Sequence, residues 1–299
     1  MERTTTAVVP RRSAADTRGM CSLPGGRFLM GTDEADGFPQ DGEGPIREVG
    51  LAPFLIDACA VSNDAFAEFV RVTGYLTDAE HFGWSFVFEG LVAQPDPEQV
   101  VGSVPGTPWW LAVRDACWHR PEGQGSSLAG RGDHPVVHVS HNDALAYCRW
   151  AGKRLPSEAE WEFMARGGLH QQRYPWGNEL MPGGQHRCNI WQGEFPTCNT
   201  GEDGFMGTCP VDAFAPNGYG IFNASGNVWE WCADWFGVDH TTPVPTDPVG
   251  PASGQSRVMR GGSYLCHASY CNRYRVAART RNTPDSSSGN IGFRCALSL

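Results

Sequence analysis

The sequence predicts a single irregular α+β domain with two main helices, short twisted antiparallel sheets and little regular secondary structure. Glycine (37) and proline (22) together make up about a fifth of the 299 residues, a composition typical of many turns and few long elements. Eleven Trp and fifteen Phe can fill a core between those turns. No repeat or low-complexity linker divides the chain. We therefore expect a disordered leader over residues 1–20 and one domain over residues 21–299.

Short strands and a helix are predicted in the first quarter of the chain. Residues 21–31 have the pattern of a strand, a Pro-Gly-Gly turn and a second strand, and residues 44–62 add further short strands. A helix is predicted over residues 63–74, because Asn63 can cap its start and Gly74 can stop it.

Two more helices are predicted in the middle of the chain. Residues 134–140, HPVVHVS, are predicted to form a strand that leads into a helix over residues 142–152. Ser157 and Glu160 then form a capping-box pattern at the start of the next helix, and a Gly-Gly pair ends it. The segment 85–130 is mixed, and from Tyr174 to Gly262 almost no helical period remains.

The charge balance excludes several classes of partner. There are 23 Lys and Arg against 33 Asp and Glu, a formal charge of −10, whereas nucleic acid or an anionic membrane calls for a basic face. No apolar run approaches the roughly 18 residues that span a bilayer, and the N-terminal segment has no apolar signal region. We expect a cytoplasmic protein, and the absence of heptads favours a monomer.

The histidines of HPVVHVSH do not favour a metal site. On the predicted strand, His134 and His138 share one face while His141 lies on the other, with no carboxylate at a useful spacing. The HExxH, Walker, GxGxxG and GxSxG motifs are also absent, so hydrolase and nucleotide-binding functions lose their usual support.

The pair Cys266 and Cys271 is more informative. Four-thiolate zinc needs a second close pair, and a thioredoxin-type site needs two intervening residues rather than four. Two thiolates alone suit a soft, low-coordinate ion such as Cu(I). From the spacing alone, however, a disulfide or two buried thiols is the favoured interpretation.

Other cysteines and oxygen-bearing residues leave two interpretations open. Cys198 and Cys209 bracket a short loop that a disulfide could close. Gly-rich chain from Asn189 to Glu230 carries oxygen ligands that could be turned onto Ca²⁺. The same composition forms Asx-turns freely, and that simpler interpretation is favoured by the composition alone.

From about Pro24 to Leu297 the chain resembles the formylglycine-generating enzymes, also called sulfatase-modifying factors, whose fold is of the C-type-lectin-like type. The strings that carry the resemblance include PGGRFLMG, GWSFVFEG, KRLPSEAEWE, NTGEDGF, GNVWEW, GGSYLCHASYCNRYR and IGFRC. Several of them specify only the fold. The most specific is the segment that contains Cys266 and Cys271.

The resemblance implies a copper-dependent oxidase that uses O2 and a thiol reductant to convert a cysteine of sulfatases into Cα-formylglycine. Its substrate would be a Cys-x-Pro-x-Arg motif, read in an unfolded or nascent sulfatase polypeptide. By the same resemblance, Cys266 and Cys271 would bind Cu(I). Ser263 and Trp229 would line the oxygen pocket.

Further residue roles are implied by the resemblance. Trp109, Ser85 and Asn290 would lie in the substrate cleft or beside the active site. Cys148 and Cys295 match a disulfide of secretory relatives, which a cytoplasmic location would keep reduced. Two calcium sites map onto two sets of residues: Asn189, Ile190, Asp203 and Phe205, and then Asn223, Gly226, Val228 and Glu230.

Two other functions remain open. In the first, Cys266 and Cys271 form a redox-active disulfide and Cys271 attacks the substrate thiol without any metal. In the second, the chain is a lectin-like binding module with no catalysis. An iron sulfoxide synthase is disfavoured, because no HxxxHxE-type ligand set is found.

Overall fold

The computed structural model describes residues 14–92, 97–240 and 246–299. Most of the predicted leader, residues 1–13, lies outside the described residues. Within the described ranges, no helix is long and apolar enough to cross a membrane.

The described part of the chain contains four α-helices and fourteen short strands. The helices are α1 (Asn63–Thr73), α2 (Asp78–Phe82), α3 (His141–Ala151) and α4 (Glu158–Arg166). The strands are β1 (Met20–Leu23), β2 (Gly26–Met30), β3 (Arg47–Leu51), β4 (Phe54–Asp57), β5 (Trp84–Phe88), β6 (Val100–Val104), β7 (Thr107–Arg114), β8 (Gly193–Glu194), β9 (Cys198–Asn199), β10 (Trp229–Trp235), β11 (Arg257–Arg260), β12 (Arg279–Asn282), β13 (Ile291–Gly292) and β14 (Ala296–Ser298).

Five small sheets organise these strands, as the α+β prediction requires. A four-stranded sheet has the order β12-β11-β10-β13, and three-stranded sheets have the orders β1-β4-β14 and β5-β7-β6. The hairpins β2-β3 and β8-β9 complete the set. All described pairings are antiparallel except β10 with β13. Because β1 and β14 both pair with β4, the two ends of the domain are joined.

Capping side chains explain where the helices begin. The capping box of α4 is confirmed: Ser157 accepts from the Glu160 amide and the Glu160 carboxylate accepts from the Ser157 amide. The prediction for α1 was wrong by one residue. Its N-cap is Ser62, whose hydroxyl accepts from Ala65 N at 3.3 Å, so Asn63 is already helical.

Two sequence predictions need correction. Residues 134–140 form no strand, and His138 has a positive φ of 58°, outside the extended region that a strand needs. The mixed segment 85–130 contains most of the β5-β7-β6 sheet, in which β7 pairs with both neighbours. That sheet was missed because Gly and Pro interrupt its apolar alternation.

The centre of the domain is held by buried ion pairs as well as by apolar packing. On α4, the Glu162 carboxylate pairs with Arg260 at the end of β11 and with Arg166 at 2.6 Å, and it accepts from Gly31 N. The side chains of Glu162 and Arg260 are each only 1% exposed. Glu162 therefore ties α4 to the end of β11.

We predict that Glu162→Gln destabilises the fold strongly. The change leaves Arg166 without its carboxylate and Arg260 with only Glu158 at 3.3 Å, and breaking a buried ion pair costs about 3–5 kcal/mol. Urea unfolding at neutral pH measures this loss. Glu68→Gln is the control, because the Glu68–Arg71 pair on α1 is exposed and should contribute little. Equal losses in the two variants would contradict this role for Glu162.

The same ion pairs predict a pH dependence. Burial would raise the pKa of Glu162, but the Arg166 and Arg260 charges lower it from 4.5 to about 2. A depressed carboxyl pKa stabilises the fold above the unfolded pKa, and this contribution is lost as the pH falls through the folded pKa. The difference in unfolding free energy between wild type and Glu162→Gln should be constant above about pH 5 and shrink toward pH 2. A difference that is unchanged at pH 3 would contradict the assignment.

Candidate active site

A cavity of about 390 Å³ lies where β7, the start of β10 and the loop after β11 meet. The structure brings together here most of the residues predicted for the active site and the substrate cleft. Its walls are lined by Phe86, Val104, Trp109, Trp110, Phe195, Trp229, Met259, Ser263, Leu265, Cys266, Tyr270, Cys271, Arg273, Thr280, Asn282, Ser286, Ser288, Asn290 and Ile291.

The loop after β11 places both cysteines in the cavity wall. Gly262 has a φ of 72°, and a Cβ there would lie 3.1 Å from backbone atoms of Tyr274, so the turn requires glycine. Backbone hydrogen bonds from Cys266 N to Ser263 O and from Cys271 N to His267 O then fold the loop back on itself. The two Sγ atoms lie 2.7 Å apart, and both residues are buried free thiols.

The two thiols have opposite pKa shifts. Burial raises the pKa of Cys266 well above its ordinary value, and the adjacent Cys271 raises it further. Cys271 accepts a hydrogen bond from the Cys266 thiol, which lowers the pKa of Cys271, and the nearby Arg273 guanidinium lowers it too. Cys271 is therefore the more acidic thiol of the pair.

Arg273 is itself held at the cavity by the N-terminal part of the domain. Its Nε lies 2.5 Å from Asp41 Oδ2, and its guanidinium carbon lies 3.6 Å above the centre of the Phe38 ring. These contacts fix a permanent positive charge beside Cys271.

A chain of polar groups lines the cavity next to the thiols. Ser288 Oγ donates to Asn290 Oδ1 at 2.7 Å, and Asn290 Nδ2 donates to Ser263 Oγ at 2.9 Å. Ser263 N in turn lies 3.4 Å from Cys266 Sγ. Trp229 N donates to Asn290 O at 2.8 Å, which places the Trp229 ring on the same wall. Four predicted residues, Ser263, Asn290, Trp229 and Cys266, are thus brought together.

An aromatic wall lies beside the two cysteines and includes Tyr270 from their own loop. The rings of Phe195 and Tyr270 are stacked with centroids 4.4 Å apart, and Trp109 meets each of them edge-on at 5.3 and 5.1 Å. Ser85 does not line this cavity. It is buried behind Phe86, where its hydroxyl contacts Ser287 Oγ at 2.8 Å and His138 Nδ1 at 2.9 Å.

The first set of expected calcium ligands is gathered around Asp203. Its carboxylate accepts from Ile190 N at 3.2 Å and from Phe205 N at 3.0 Å. Gln192 Nε2 donates to Asp203 Oδ2 at 2.9 Å and also to the carbonyl of Ile190. Asn189 Nδ2 donates to the carbonyl of Gly207 at 2.8 Å. The amide of Gln192 therefore bridges two of the oxygens that the cation would need.

In the second set of expected calcium ligands, some residues suit a cation better than others. Asn223 Oδ1 is buried with no hydrogen-bond partner among the described residues, which suits a cation ligand. Both carboxylate oxygens of Glu230, in contrast, already accept from Arg294 at 2.7 Å, and one also accepts from Trp161 Nε1 at 2.8 Å. The amide of Gly226 donates to Gly261 O, and Val228 is buried on the approach to β10.

The two cysteine pairs for which a disulfide was left open are free thiols. Cys148 Sγ and Cys295 Sγ lie 3.6 Å apart in the core, so the predicted proximity is confirmed but no bond joins them. The disulfide considered between Cys198 and Cys209 was wrong: Cys198 is exposed in β9, whereas Cys209 is buried and its amide donates to Asn227 Oδ1.

The three histidines of the segment HPVVHVSH have separate partners. His134 Nδ1 contacts Thr208 Oγ1 at 2.9 Å, His138 contacts Ser85, and His141 Nε2 contacts Cys232 O at 3.2 Å. The sequence interpretation missed Phe195, Tyr270 and Arg273. Tyr270 and Arg273 lie within two positions of Cys271 and could have been recognised as candidates. No motif near Phe195 indicated that it belongs to the site.

Comparison with known proteins identifies the family. Residues 5–299 match the model of the sulfatase-modifying factor enzyme 1-like domain. A formylglycine-generating enzyme of Thermomonospora curvata is 64% identical over 293 residues, covering 96% of each chain. An inactive C-alpha-formylglycine-generating enzyme 2 of Bos taurus is 50% identical over 283 residues, covering 94% of this chain and 88% of the relative.

A solved structure confirms the fold class. PvdO from Pseudomonas aeruginosa superposes with a TM-score of 0.68 at 25% sequence identity, covering 94% of both chains. Since the relatives include a protein named as inactive, whether this chain catalyses a reaction depends on its own site residues. The match of the family model over nearly the whole length shows that the chain belongs to the sulfatase-modifying factor enzyme 1-like family.

Proposed function

We propose that this protein is a copper-dependent oxidase that uses O2 to convert the cysteine of a Cys-x-Pro-x-Arg motif in sulfatases into Cα-formylglycine. The observation that carries the proposal is the pair of buried free thiols, Cys266 and Cys271, in the wall of a cavity of about 390 Å³. The 64% identity to a formylglycine-generating enzyme supports the same reaction.

The donor set at the cavity fits copper. Two adjacent sulfur ligands and no imidazole or carboxylate among the lining residues favour a soft, low-coordinate ion over zinc or calcium. Cys266 and Cys271 would hold Cu(I), and the cavity leaves space for the substrate sulfur as a third soft ligand. When bound, the metal would supply the redox chemistry with O2, while the protein binds and orients the substrate.

The other cavity residues have roles that follow from their contacts. Ser263 Oγ accepts from Asn290 Nδ2 at 2.9 Å and from Leu265 N at 3.3 Å. Its own proton therefore remains available for a hydrogen bond to a group that enters the cavity. The ring of Trp229 and the wall of Trp109, Phe195 and Tyr270 limit the access of water.

The reaction balances with a thiol reductant. The substrate thiol, O2 and two reductant thiols give an aldehyde, hydrogen sulfide, water and one disulfide. Two electrons come from the substrate, as its methylene-thiol group is oxidised to a thioaldehyde that water hydrolyses. The other two electrons come from the reductant. The four electrons together reduce O2 to two water molecules, and the hydrolysis of the thioaldehyde consumes one of them.

The partner in this proposal is an unfolded or nascent sulfatase polypeptide. A cysteine must reach buried thiols, so the motif has to enter as an extended, flexible segment. The aromatic wall of Trp109 and Tyr270 offers a surface on which the proline can pack. The formal charge of −10 favours a substrate that carries arginine.

One observation favours a second candidate, metal-free thiol chemistry. The lowered pKa of Cys271, caused by the Cys266 hydrogen bond and by Arg273, is also what a nucleophilic cysteine needs. In this version the substrate cysteine first forms a mixed disulfide with a small oxidised thiol, and the Cys271 thiolate attacks its sulfur and displaces that thiol. Loss of a Cβ proton with departure of the Cys271 thiolate then gives the thioaldehyde, which water hydrolyses. A copper chelator separates the two mechanisms, because only the copper oxidase loses activity when it is added.

We also propose that calcium binds the two sets of oxygen ligands. For the first set, the support is the clustering of Ile190 and Phe205 around the Asp203 carboxylate. For the second, it is the unpartnered Oδ1 of Asn223. Glu230 fits less well as a direct ligand, since Arg294 and Trp161 already occupy its oxygens.

We predict that Cys271→Ser abolishes turnover of a Cys-x-Pro-x-Arg peptide, by at least about 10³-fold, because a neutral hydroxyl cannot replace a soft anionic ligand. The copper-loaded protein is incubated in air with peptide and a thiol reductant, and the peptide is weighed by mass spectrometry. Formylglycine appears as loss of the sulfur and gain of an aldehyde oxygen.

Cys198→Ser is the matched control, because Cys198 is an exposed thiol outside the cavity lining. It should retain wild-type turnover. Turnover and copper binding that survive Cys271→Ser would contradict the copper oxidase. Turnover that is unaffected by a copper chelator would support the metal-free mechanism. A peptide that stays unchanged with folded, copper-loaded wild-type protein would support a binding module without catalysis.

We predict that Asp203→Asn removes one equivalent of bound calcium, since it takes away the charged ligand of the first set. Isothermal titration with CaCl2 measures the stoichiometry, which should be two for wild type and one for the variant. Glu202→Gln is the control, because this neighbouring carboxylate contacts Thr200 and not Asp203. An unchanged stoichiometry in Asp203→Asn would exclude calcium at the first set.

A further inference from the structure

A second cluster of metal-ligand side chains lies outside the cavity of the two cysteines. Glu80 on α2, Cys117 and His119 bring one carboxylate oxygen, one sulfur and one ring nitrogen within 4.8 Å of one another. Cys117 is buried, while Glu80 and His119 are partly exposed, so the cluster can be reached from solvent. None of these residues takes part in the proposed oxidation.

The separations of the three ligand atoms, all within 4.8 Å, are close to those of a tetrahedral zinc site. Cys117 Sγ lies 3.4 Å from His119 Nδ1, and His119 Nδ1 lies 3.8 Å from Glu80 Oε1. With Zn–S of about 2.3 Å and Zn–N and Zn–O of about 2.0–2.1 Å, the edges of a tetrahedron are about 3.3–3.6 Å long. The sulfur–nitrogen separation lies within that range, and the nitrogen–oxygen separation exceeds it by a few tenths of an ångström.

The backbone holds two of the ligands in place. Cys117 N donates to Arg120 O at 3.2 Å, and Arg120 N donates to Cys117 O at 3.0 Å, so Cys117 and His119 belong to one tight turn. This turn follows directly on Asp115, whose amide donates to Gly83 O at the end of α2. The turn and α2 are therefore fixed to each other before any ion binds.

The third ligand is oriented by its own helix cap. Glu80 Oε2 accepts from Thr77 N at 2.8 Å and from Thr77 Oγ1 at 2.7 Å, as part of the capping box of α2. The cap fixes the carboxylate and leaves Oε1 facing His119. Carboxylate ligands of metal ions are commonly oriented in this way by outer hydrogen bonds.

We propose that Glu80, Cys117 and His119 form a binding site for a divalent zinc ion, with the fourth position open to water. Thiolate, imidazole and carboxylate together are a donor set that Zn²⁺ prefers, whereas Cu(I) favours sulfur alone. Burial raises the pKa of the Cys117 thiol, which the hydrogen bonds from His119 and Arg120 offset only in part, so the metal ion has to displace the thiol proton when it binds. Arg120 also places a positive charge close to the ion, which limits the affinity.

The site would clamp the sheet that carries Trp109 of the aromatic wall. Glu80 precedes β5, and Cys117 and His119 follow β7, while β5 and β7 pair from Trp84–Arg114 to Phe88–Trp110. A bound ion would therefore join the start of β5 to the end of β7. Because a ligand that binds only the folded state stabilises it, zinc should raise the melting temperature.

Zinc and cobalt binding tests the proposal with full-length protein variants. The Cys266→Ser/Cys271→Ser double variant removes the cavity thiols as competing ligands. In that variant we expect one equivalent of Zn²⁺ by equilibrium dialysis, a higher melting temperature with zinc, and a thiolate-to-metal absorption band with Co²⁺. Adding His119→Ala should remove all three signals, and His119 is exposed enough for this change to leave the fold intact.

His170→Ala in the same background is the matched control, because His170 is an exposed histidine outside the cluster. It should keep the zinc equivalent and the cobalt band. Cys117→Ser should lose the cobalt band even where weak zinc binding remains. The proposal is overturned if the double variant binds no zinc, or if its zinc and cobalt signals survive both His119→Ala and Cys117→Ser; either result would leave a hydrogen-bonded cluster without metal.

Discussion

The buried carboxylate of Glu162 is the interaction on which the geometry of the site depends. It joins α4 to Arg260, the last residue of β11, and the loop with Cys266 and Cys271 leaves the sheet at the next residue. Charges this deeply buried are stable only when they are paired, so the position of the strand end is strongly specified. The turn at Gly262 then directs the loop toward the cavity, since another residue there would meet the backbone of Tyr274.

The cavity combines parts that are distant in the sequence. The sheet of β5, β6 and β7 supplies Trp109, the end of the chain supplies Asn290, and the N-terminal segment holds Arg273 through Asp41. Local interactions such as helix caps and turns shape each of these segments. Ordered loops therefore hold the site, although most of their residues lie outside helices and strands.

The sequence predicted local features, such as helix caps and the cysteine pair, better than contacts between residues that are far apart in the chain. The capping box of α4 and the cysteine pair were recognised because their residues lie within a few positions of one another. The strand predicted over residues 134–140 failed because its apolar residues are buried as an irregular segment, with His138 at a positive φ. Arg260 lies 98 positions from its partner Glu162, and Ser263 lies 27 positions from its partner Asn290, so no local pattern could reveal these two contacts. The resemblance implied that Ser85 lies in the substrate cleft. In the structure Ser85 does not line the cavity, whereas the next residue in the chain, Phe86, does.

The ratio of O2 consumed to formylglycine formed distinguishes the copper oxidase from every alternative considered above. It is measured with an oxygen electrode and mass spectrometry on the copper-loaded protein, a Cys-x-Pro-x-Arg peptide and a thiol reductant. We expect one O2 and one reductant disulfide for each aldehyde, with both processes stopped by a Cu(I) chelator. Formylglycine that forms at the same rate in the presence of the chelator, or without consumption of O2, would contradict the copper oxidase.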